Sequence, residues 1–221
     1  MLQGESELLR GLLDDVFGLE LLQLGSWGAS RELLSSSRTR HQTIVAESPG
    51  GAIDLVARLD QLPIQTASID AVLLPHTLEF HGDPQAVVRE ADRVLTGEGQ
   101  LIILGFRPWS LWGMRSRASR EGYPQGLVDP LSARRVGDWL GLLGYELVRQ
   151  RTYLYSRPWA SSADMTRRIL RRGLFNPLPA AAWLLCARKH TYRMSPLRMR
   201  FLRERRPAIG RLPEPTTRNP P

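Results

Sequence analysis

Residues 68–106 read SIDAVLLPHTLEFHGDPQAVVREADRVLTGEGQLIILGF. Ile69 to Leu74 is a short unbroken apolar run, the pattern of a strand buried on both faces. Asp83-Pro84 supplies a helix start: the carboxylate caps free N–H groups and proline fills the first helical position. Val87, Val88, Ala91, Val94 and Leu95 then recur at helical spacing, with Arg89, Glu90, Asp92 and Arg93 largely on the solvent side. Gly97 and Gly99 stop the helix and turn the chain, and Leu101 to Phe106 is a second buried strand. Two buried strands joined by one amphipathic helix predict a parallel βαβ unit with a right-handed crossover. Ligands in such sheets sit beyond the carboxyl ends of the strands. Pro75, His76, Thr77 and Glu79 are therefore the first residues to inspect.

Working outward toward the N-terminus, Glu5 to Phe17 carries leucines at helical spacing, and Leu19 to Leu24 is a first strand. A turn, Gly25-Ser26-Trp27-Gly28-Ala29-Ser30, leads into a polar helix reaching about Ser37. Gln42 to Ala46 is a second strand ending at Glu47, and Ala52 to Leu59 holds a short third one. Toward the C-terminus, residues 107–130 form a long irregular loop with Pro108, Trp109, Trp112 and Tyr123, and with Arg115, Arg117 and Arg120 among them. A loop of more than about 15 residues in a compact domain is usually functional or disordered, and its large apolar side chains argue against disorder. Leu131 to Leu143 is a helix with Ser132 as N-cap, closed by Gly144. Tyr145 to Tyr155, a basic helix over Ala163 to Arg172, and Ala180 to Arg188 complete a strand, helix, strand order.

Charge is placed unevenly. In residues 1–187, 20 arginines balance 20 acids, whereas residues 188–221 hold ten of the 30 basic residues against two acids. The net charge of +8 thus belongs to the C-terminal stretch, and residues 190–221 read as a basic, disordered tail. Cys186 is the single cysteine, which excludes an internal disulfide and fits a buried thiol in a reducing compartment. Four dispersed histidines give no metal-ligand spacing, and neither a phosphate-cradling GxxxxGK[ST] loop nor a GxSxG elbow is present. No stretch approaches the ~20 apolar residues of a membrane span. The N-terminus has no secretory pattern, so a cytoplasmic location is expected.

Several motifs now stand in order: Leu62-Pro63-Ile64, Ser68-Ile69-Asp70, His76-Thr77-Leu78-Glu79, Asp83-Pro84, Arg89-Glu90, Arg93-Val94-Leu95 and Gly97-Glu98-Gly99. Together they resemble the second half of a class I S-adenosylmethionine-dependent methyltransferase domain, within that class the type 11 methyltransferases. The continuation Gly105-Phe106-Arg107-Pro108-Trp109 is similar to a small bacterial subgroup of them. The resemblance implies an α/β fold: a doubly wound, Rossmann-like, seven-stranded and mostly parallel sheet with helices on both faces and an antiparallel seventh strand. It assigns residues 1–189 to that domain, with 107–130 as lid or substrate wall.

The resemblance also implies S-adenosyl-L-methionine as cofactor, held by Gly25, Ser26, Trp27, Gly28, Glu47, Asp60, Gln61, Leu62, Pro75 and His76. Glu47 falls where the family uses an acid to accept hydrogen bonds from the ribose hydroxyls. The family's glycine-rich loop is degenerate here. Gln23 stands for its acid, Trp27 for its middle glycine and Ala29 for its last, so the indole either obstructs the cofactor or stacks on it. Arg58 stands where the family has an acid near the adenine amino group, and Asp60 follows two residues later. His76 is the candidate catalytic base, with a pocket-shaping role as the alternative; Glu79 and His81 are weaker. Two functional readings follow. In one, the chain methylates a small or planar acceptor beside the 107–130 loop. In the other, it is an inactive or weakly active binding protein that engages RNA or an anionic surface through its arginine-rich tail.

Overall fold

The computed structural model describes residues 2–16, 18–28, 31–118, 126–155 and 180–190. By contacts the chain divides into a unit Met1–Thr191 and a second unit Tyr192–Pro221. The first contains helix α1 (Leu2–Leu13), strands β1 (Glu20–Leu24), β2 (His41–Ala46), β3 (Leu55–Val56) and β4 (Ile69–Pro75), and helix α2 (Pro84–Val94). Strand β5 (Leu95–Phe106), helices α3 (Leu111–Ala118) and α4 (Ala133–Leu142), and strands β6 (Tyr145–Tyr153) and β7 (Ala182–Lys189) follow.

The seven strands form one sheet in the order β3-β2-β1-β4-β5-β7-β6. The pairs from β3 to β5 are parallel, and β7 lies antiparallel between β5 and β6. Alternation along each strand feeds two cores. Leu21, Leu73, Ile102 and Leu184 pack toward α1 and Trp112, while Leu22, Leu74, Ile103 and Leu185 pack toward α2 and α4. Helices therefore cover both faces, and the doubly wound sheet expected from the sequence is the one observed.

The βαβ unit forms for the local reasons its sequence contains. Asp83 caps α2 by accepting from the Ala86 N–H at 3.0 Å, with Pro84 at the first helical position. Val87, Val88, Ala91 and Val94 are its buried stripe. The family motif residues beside it prove structural. Arg93 binds the Leu62 and Ile64 carbonyls at 3.1 and 2.9 Å, and Glu90 accepts from the Leu62 N–H at 2.7 Å. Asp70 accepts from the Leu19 and Glu20 N–H groups at 2.6 and 3.1 Å, fixing the start of β1 against β4.

Three expectations change. The polar helix toward Ser37 is only a single 3-10 turn, Glu32–Leu34. Helix α2 passes directly into β5 at Leu95, so Gly97 and Gly99 lie within the strand; a register shift between Ile69 and Ala71 absorbs the misfit. The 107–130 stretch is not a continuous loop, because Leu111–Ala118 is helical and seats Trp112 in the core. Residues 119–125, the expected helix at 163–172 and the tail from 191 lie outside the described residues. Cys186 is buried on β7, where burial pushes its thiol pKa up. No helix among the described residues is long and apolar enough to cross a membrane.

Gly105 on β5 has a packing reason. A Cβ there would overlap the Trp183 indole and the Glu79 carboxylate, both buried. Trp183 cannot swing aside, because its Nε1 donates to the Leu131 carbonyl at 2.8 Å. Gly105→Ala is expected to destabilise by about 1–3 kcal/mol through overpacking, read as a lowered urea midpoint at unchanged slope.

Candidate functional site

A cavity of about 510 Å³ opens at the carboxyl ends of β1, β2 and β4. The chain leaves β1 toward β2 and β3, then returns on the other side of β1 to form β4. The cavity thus sits at the topological switch point, where open α/β sheets bind ligands. The turn after β1 supplies Gly25, Ser26, Trp27 and Gly28 to its wall. The end of β2 supplies Ala46, Glu47 and Ser48, and the end of β4 supplies Pro75, His76 and Thr77. Phe80, His81, Leu59 and Leu2 of α1 complete it.

Most of the expected site residues converge on this space, but three do not. Leu59 lines the cavity in place of Asp60, Gln61 and Leu62. Asp60 turns outward into a two-point pair with Arg58, at 3.0 and 2.7 Å, and Leu62 packs into the core behind α2. Ala29 lies outside the described residues. Glu47 is half exposed at the mouth, 3.4 Å from His81 Nε2. Gly25 and Gly28 adopt positive φ, 102° and 67°, the left-handed turn that lets the backbone approach a ligand closely. Gln23, at the position of the family's acid, is fully buried. Its Nε2 donates to the Trp27 carbonyl at 2.9 Å, and its Oε1 has no partner among the described residues.

Beneath the cavity lies a sealed polar network. His76, at the end of β4, holds left-handed backbone (φ 54°), and its ring turns back into the core with no exposure. Its Nε2 lies 3.1 Å from Glu5 Oε1 of α1 and 3.2 Å from the Tyr153 hydroxyl of β6. Its Nδ1 lies 3.4 Å from Glu79 Oε2, an ion pair without hydrogen-bond geometry. The ring stacks on Phe106 at 4.0 Å between centroids and meets Trp27 at 4.9 Å. Trp27 Nε1 donates to Glu5 Oε2 at 3.0 Å, and Phe106 N–H donates to Glu79.

Burial opposes the charge on His76, but the close carboxylates of Glu5 and Glu79 outweigh it, and the imidazole pKa rises to about 9. Burial likewise opposes ionisation of Glu5, yet His76, Trp27 and Tyr153 hold its pKa below the ordinary carboxylate value. Glu79 goes the other way: burial outweighs His76 and the Phe106 N–H, raising its pKa. Burial, followed by the Glu5 charge, pushes Tyr153 well above the usual phenol value. At neutral pH the centre is an imidazolium with Glu5 ionised against it. A ring that holds its proton this firmly and touches no solvent is not placed to take a proton from a substrate.

Sequence inspection passed over Glu5, which had looked like an acid at a helix start. The signal was present: Glu5 falls in line with Leu8, Leu9, Leu12 and Leu13, on the inward stripe of α1.

The geometry can now be set beside known proteins. Residues 28–103 match the family model of a methyltransferase domain. The uncharacterized protein YafS of Escherichia coli is 33% identical over 146 residues, 65% of this chain and 59% of that one. The uncharacterized protein Rv2003c of Mycobacterium tuberculosis is 30% identical over 141 residues, 62% of this chain and 45% of that one. The matched region thus spans about half the length of these curated relatives. A SAM-dependent methyltransferase of Thermotoga maritima, described as a possible histamine N-methyltransferase, superposes with a TM-score of 0.64 at 19% identity, covering 85% of this chain and 89% of that one. A further S-adenosylmethionine-dependent methyltransferase, from Mesorhizobium loti, gives 0.58 at 16% identity, covering 84% and 97%. The chain thus has the fold of class I methyltransferases, and its residues 28–103 match the model of a methyltransferase domain.

Proposed function

We propose that the cavity binds S-adenosylmethionine and that the chain transfers its methyl group to a small or planar acceptor. The observation that carries this reading is the meeting of Glu47 with the positive-φ turn Gly25–Gly28 at the β1/β4 switch point. The residues fit the group. Glu47 reaches the mouth with its carboxylate available to two vicinal hydroxyls, giving charge-assisted bonds to the ribose. Gly25 and Gly28 admit close backbone approach, and Trp27 and Phe80 offer aromatic faces to a planar or cationic ligand.

S-adenosylmethionine held by these residues would supply an electrophilic methyl group, open to attack by the acceptor's nucleophile in line with the departing thioether sulfur. The chain's own contribution is positioning, a term that can reach about 7–11 kcal/mol of the barrier. His76, locked as a cation, keeps the cavity floor in shape. His81 lines the wall beside Glu47 and is the more accessible imidazole.

The experiment is photo-crosslinking of methyl-labelled S-adenosylmethionine followed by peptide mapping. Label on peptides containing residues 25–28, 46–48 or 75–81 supports the reading; label confined elsewhere overturns it. In equilibrium titration, Glu47→Ala is expected to weaken binding of S-adenosylhomocysteine at least about tenfold, through loss of charge-assisted bonds.

A second reading rests on charge alone. The ten basic residues among positions 188–221 suit an RNA or an anionic surface. Steeply salt-dependent RNA binding that disappears on removal of residues 192–221 would favour it.

A further inference from the structure

Among the described residues, the buried face of α1 holds four leucines, Gly4, Ser6 and one carboxylate. Leu8, Leu9, Leu12 and Leu13 are buried there beside Glu5, which has no exposure at all. Burying a carboxylate costs several kcal/mol before its partners repay it, and an apolar residue of similar volume would pack as well or better. The partners Glu5 has acquired belong to three separate elements: the turn after β1 (Trp27), the end of β4 (His76) and β6 (Tyr153). Of the three, Trp27 alone lines the cavity with a side chain that replaces a glycine of the family pattern.

An indole at that position must go somewhere. It lies toward α1, with Nε1 on Glu5 Oε2 at 3.0 Å and its ring beside His76 and Phe106. Its backbone is pinned as well, because Gln23 Nε2 donates to the Trp27 carbonyl at 2.9 Å. A carboxylate at position 23, as in the family pattern, could not make that donation. Two departures from the pattern, the tryptophan itself and the glutamine that holds its main chain, thus meet the buried acid that holds its side chain.

We propose that Glu5 is a positioning residue of the ligand cavity: by accepting the Trp27 indole N–H it draws that ring against α1 and out of the space the cofactor's amino-acid part requires. The degenerate loop is thereby compensated rather than lost. This rests on the cofactor reading above. It assigns α1 a task in ligand binding beyond covering the sheet.

The test is a double-mutant cycle on binding of S-adenosylhomocysteine by the full chain, followed by calorimetry. Glu5→Leu removes the acceptor and is expected to weaken binding at least about tenfold when Trp27 is present, but less than about threefold when Trp27→Gly is already in place. A merely structural Glu5 would weaken binding equally in both backgrounds, and that result overturns the proposal. Should Glu5→Leu fail to fold, Glu5→Gln, whose uncharged amide oxygen accepts more weakly, runs the same cycle with a smaller loss that is again confined to the Trp27 background. A second readout needs no ligand. The Trp27 indole ¹⁵N–¹H resonance, assigned by its absence in Trp27→Phe, should move upfield in Glu5→Gln; an unmoved resonance overturns the bond on which the proposal stands. Failure of the wild type to bind overturns the cofactor reading itself, and the two failures are told apart by that control.

Discussion

Replacing His76 with leucine is expected to remove about 3–5 kcal/mol of folding stability, the range for deleting one partner of a buried ion pair. Leucine fills much of the ring's volume, so a cavity is not the main cost. The cost is electrostatic. Glu5 and Glu79 remain at zero and 1% exposure, facing an apolar side chain instead of an imidazolium. Glu5 keeps two donors, Trp27 Nε1 and the Tyr153 hydroxyl, and Glu79 keeps the Phe106 N–H, but neither keeps a counter-charge. Burial would then act on both carboxyls with no cation to oppose it, favouring their neutral forms and weakening each retained donor bond. Urea unfolding measures the loss directly. A change below about 1 kcal/mol would show that the network carries no net charge and that His76 is neutral in the fold.

The second large effect is on pH dependence, and its sign follows from the raised pKa. In the unfolded chain a histidine titrates near 6.5; in the fold His76 titrates near 9. The stabilisation is therefore complete below about pH 6.5 and is lost as pH climbs from there through 9, amounting to about 3 kcal/mol at most. Glu79 adds in the same direction, since a carboxyl raised by burial penalises the fold once it must ionise. Glu5 acts oppositely at the acid end: its lowered pKa gives stability above the ordinary carboxylate value that fades as pH falls through it. Thermal midpoints should peak at mildly acidic pH and decline toward pH 9. In ¹⁵N–¹H spectra of the native protein the His76 ring should keep both of its protons at pH 7 and lose one only as pH approaches 9. A ring already neutral at pH 7 would contradict the assignment.

What the sequence made legible is what local chemistry dictates. Asp83-Pro84 had to start a helix, and the apolar runs at 69–74 and 101–106 had to be buried strands, so the βαβ unit and its switch-point ligand site followed. The strand over 180–188 was legible as well, while its antiparallel insertion came from the family resemblance and is the pairing observed. Legibility failed where tertiary contacts decide. Helix α3 has little amphipathic contrast and lies among Pro108, Trp109 and Gly113, which read as loop; its anchor, Trp112 in the core beside Phe106, is a long-range contact. The turn from α2 to β5 was assigned to Gly97 and Gly99 because glycine marks turns. The chain instead extends at Leu95, whose own burial in the sheet outweighs the punctuation. The adenine-side expectation on Asp60 followed position counting, and the short 47–54 connection ends in a two-residue β3 that leaves Asp60 free to meet Arg58.

The candidate site shows the same division. Glu47 and the Gly25–Gly28 turn come from strand ends and are readable as such. The buried network is not, because Glu5, His76, Glu79 and Tyr153 are separated by up to 148 residues and meet only when α1, β4 and β6 pack together. A lone histidine at a strand end looks like a base in sequence. Its two buried carboxylate neighbours make it a cation of the framework.

The central claim is that this cavity, with a tryptophan in its glycine turn, still accepts the cofactor. Isothermal titration of the purified full chain with S-adenosylmethionine and S-adenosylhomocysteine tests it most directly. The account predicts saturable one-to-one binding with a dissociation constant in the micromolar range, about −8 kcal/mol, for at least one of the two. Absence of binding by the wild type at millimolar ligand, with affinity appearing only in Trp27→Gly, would contradict it and show that the indole closes the site.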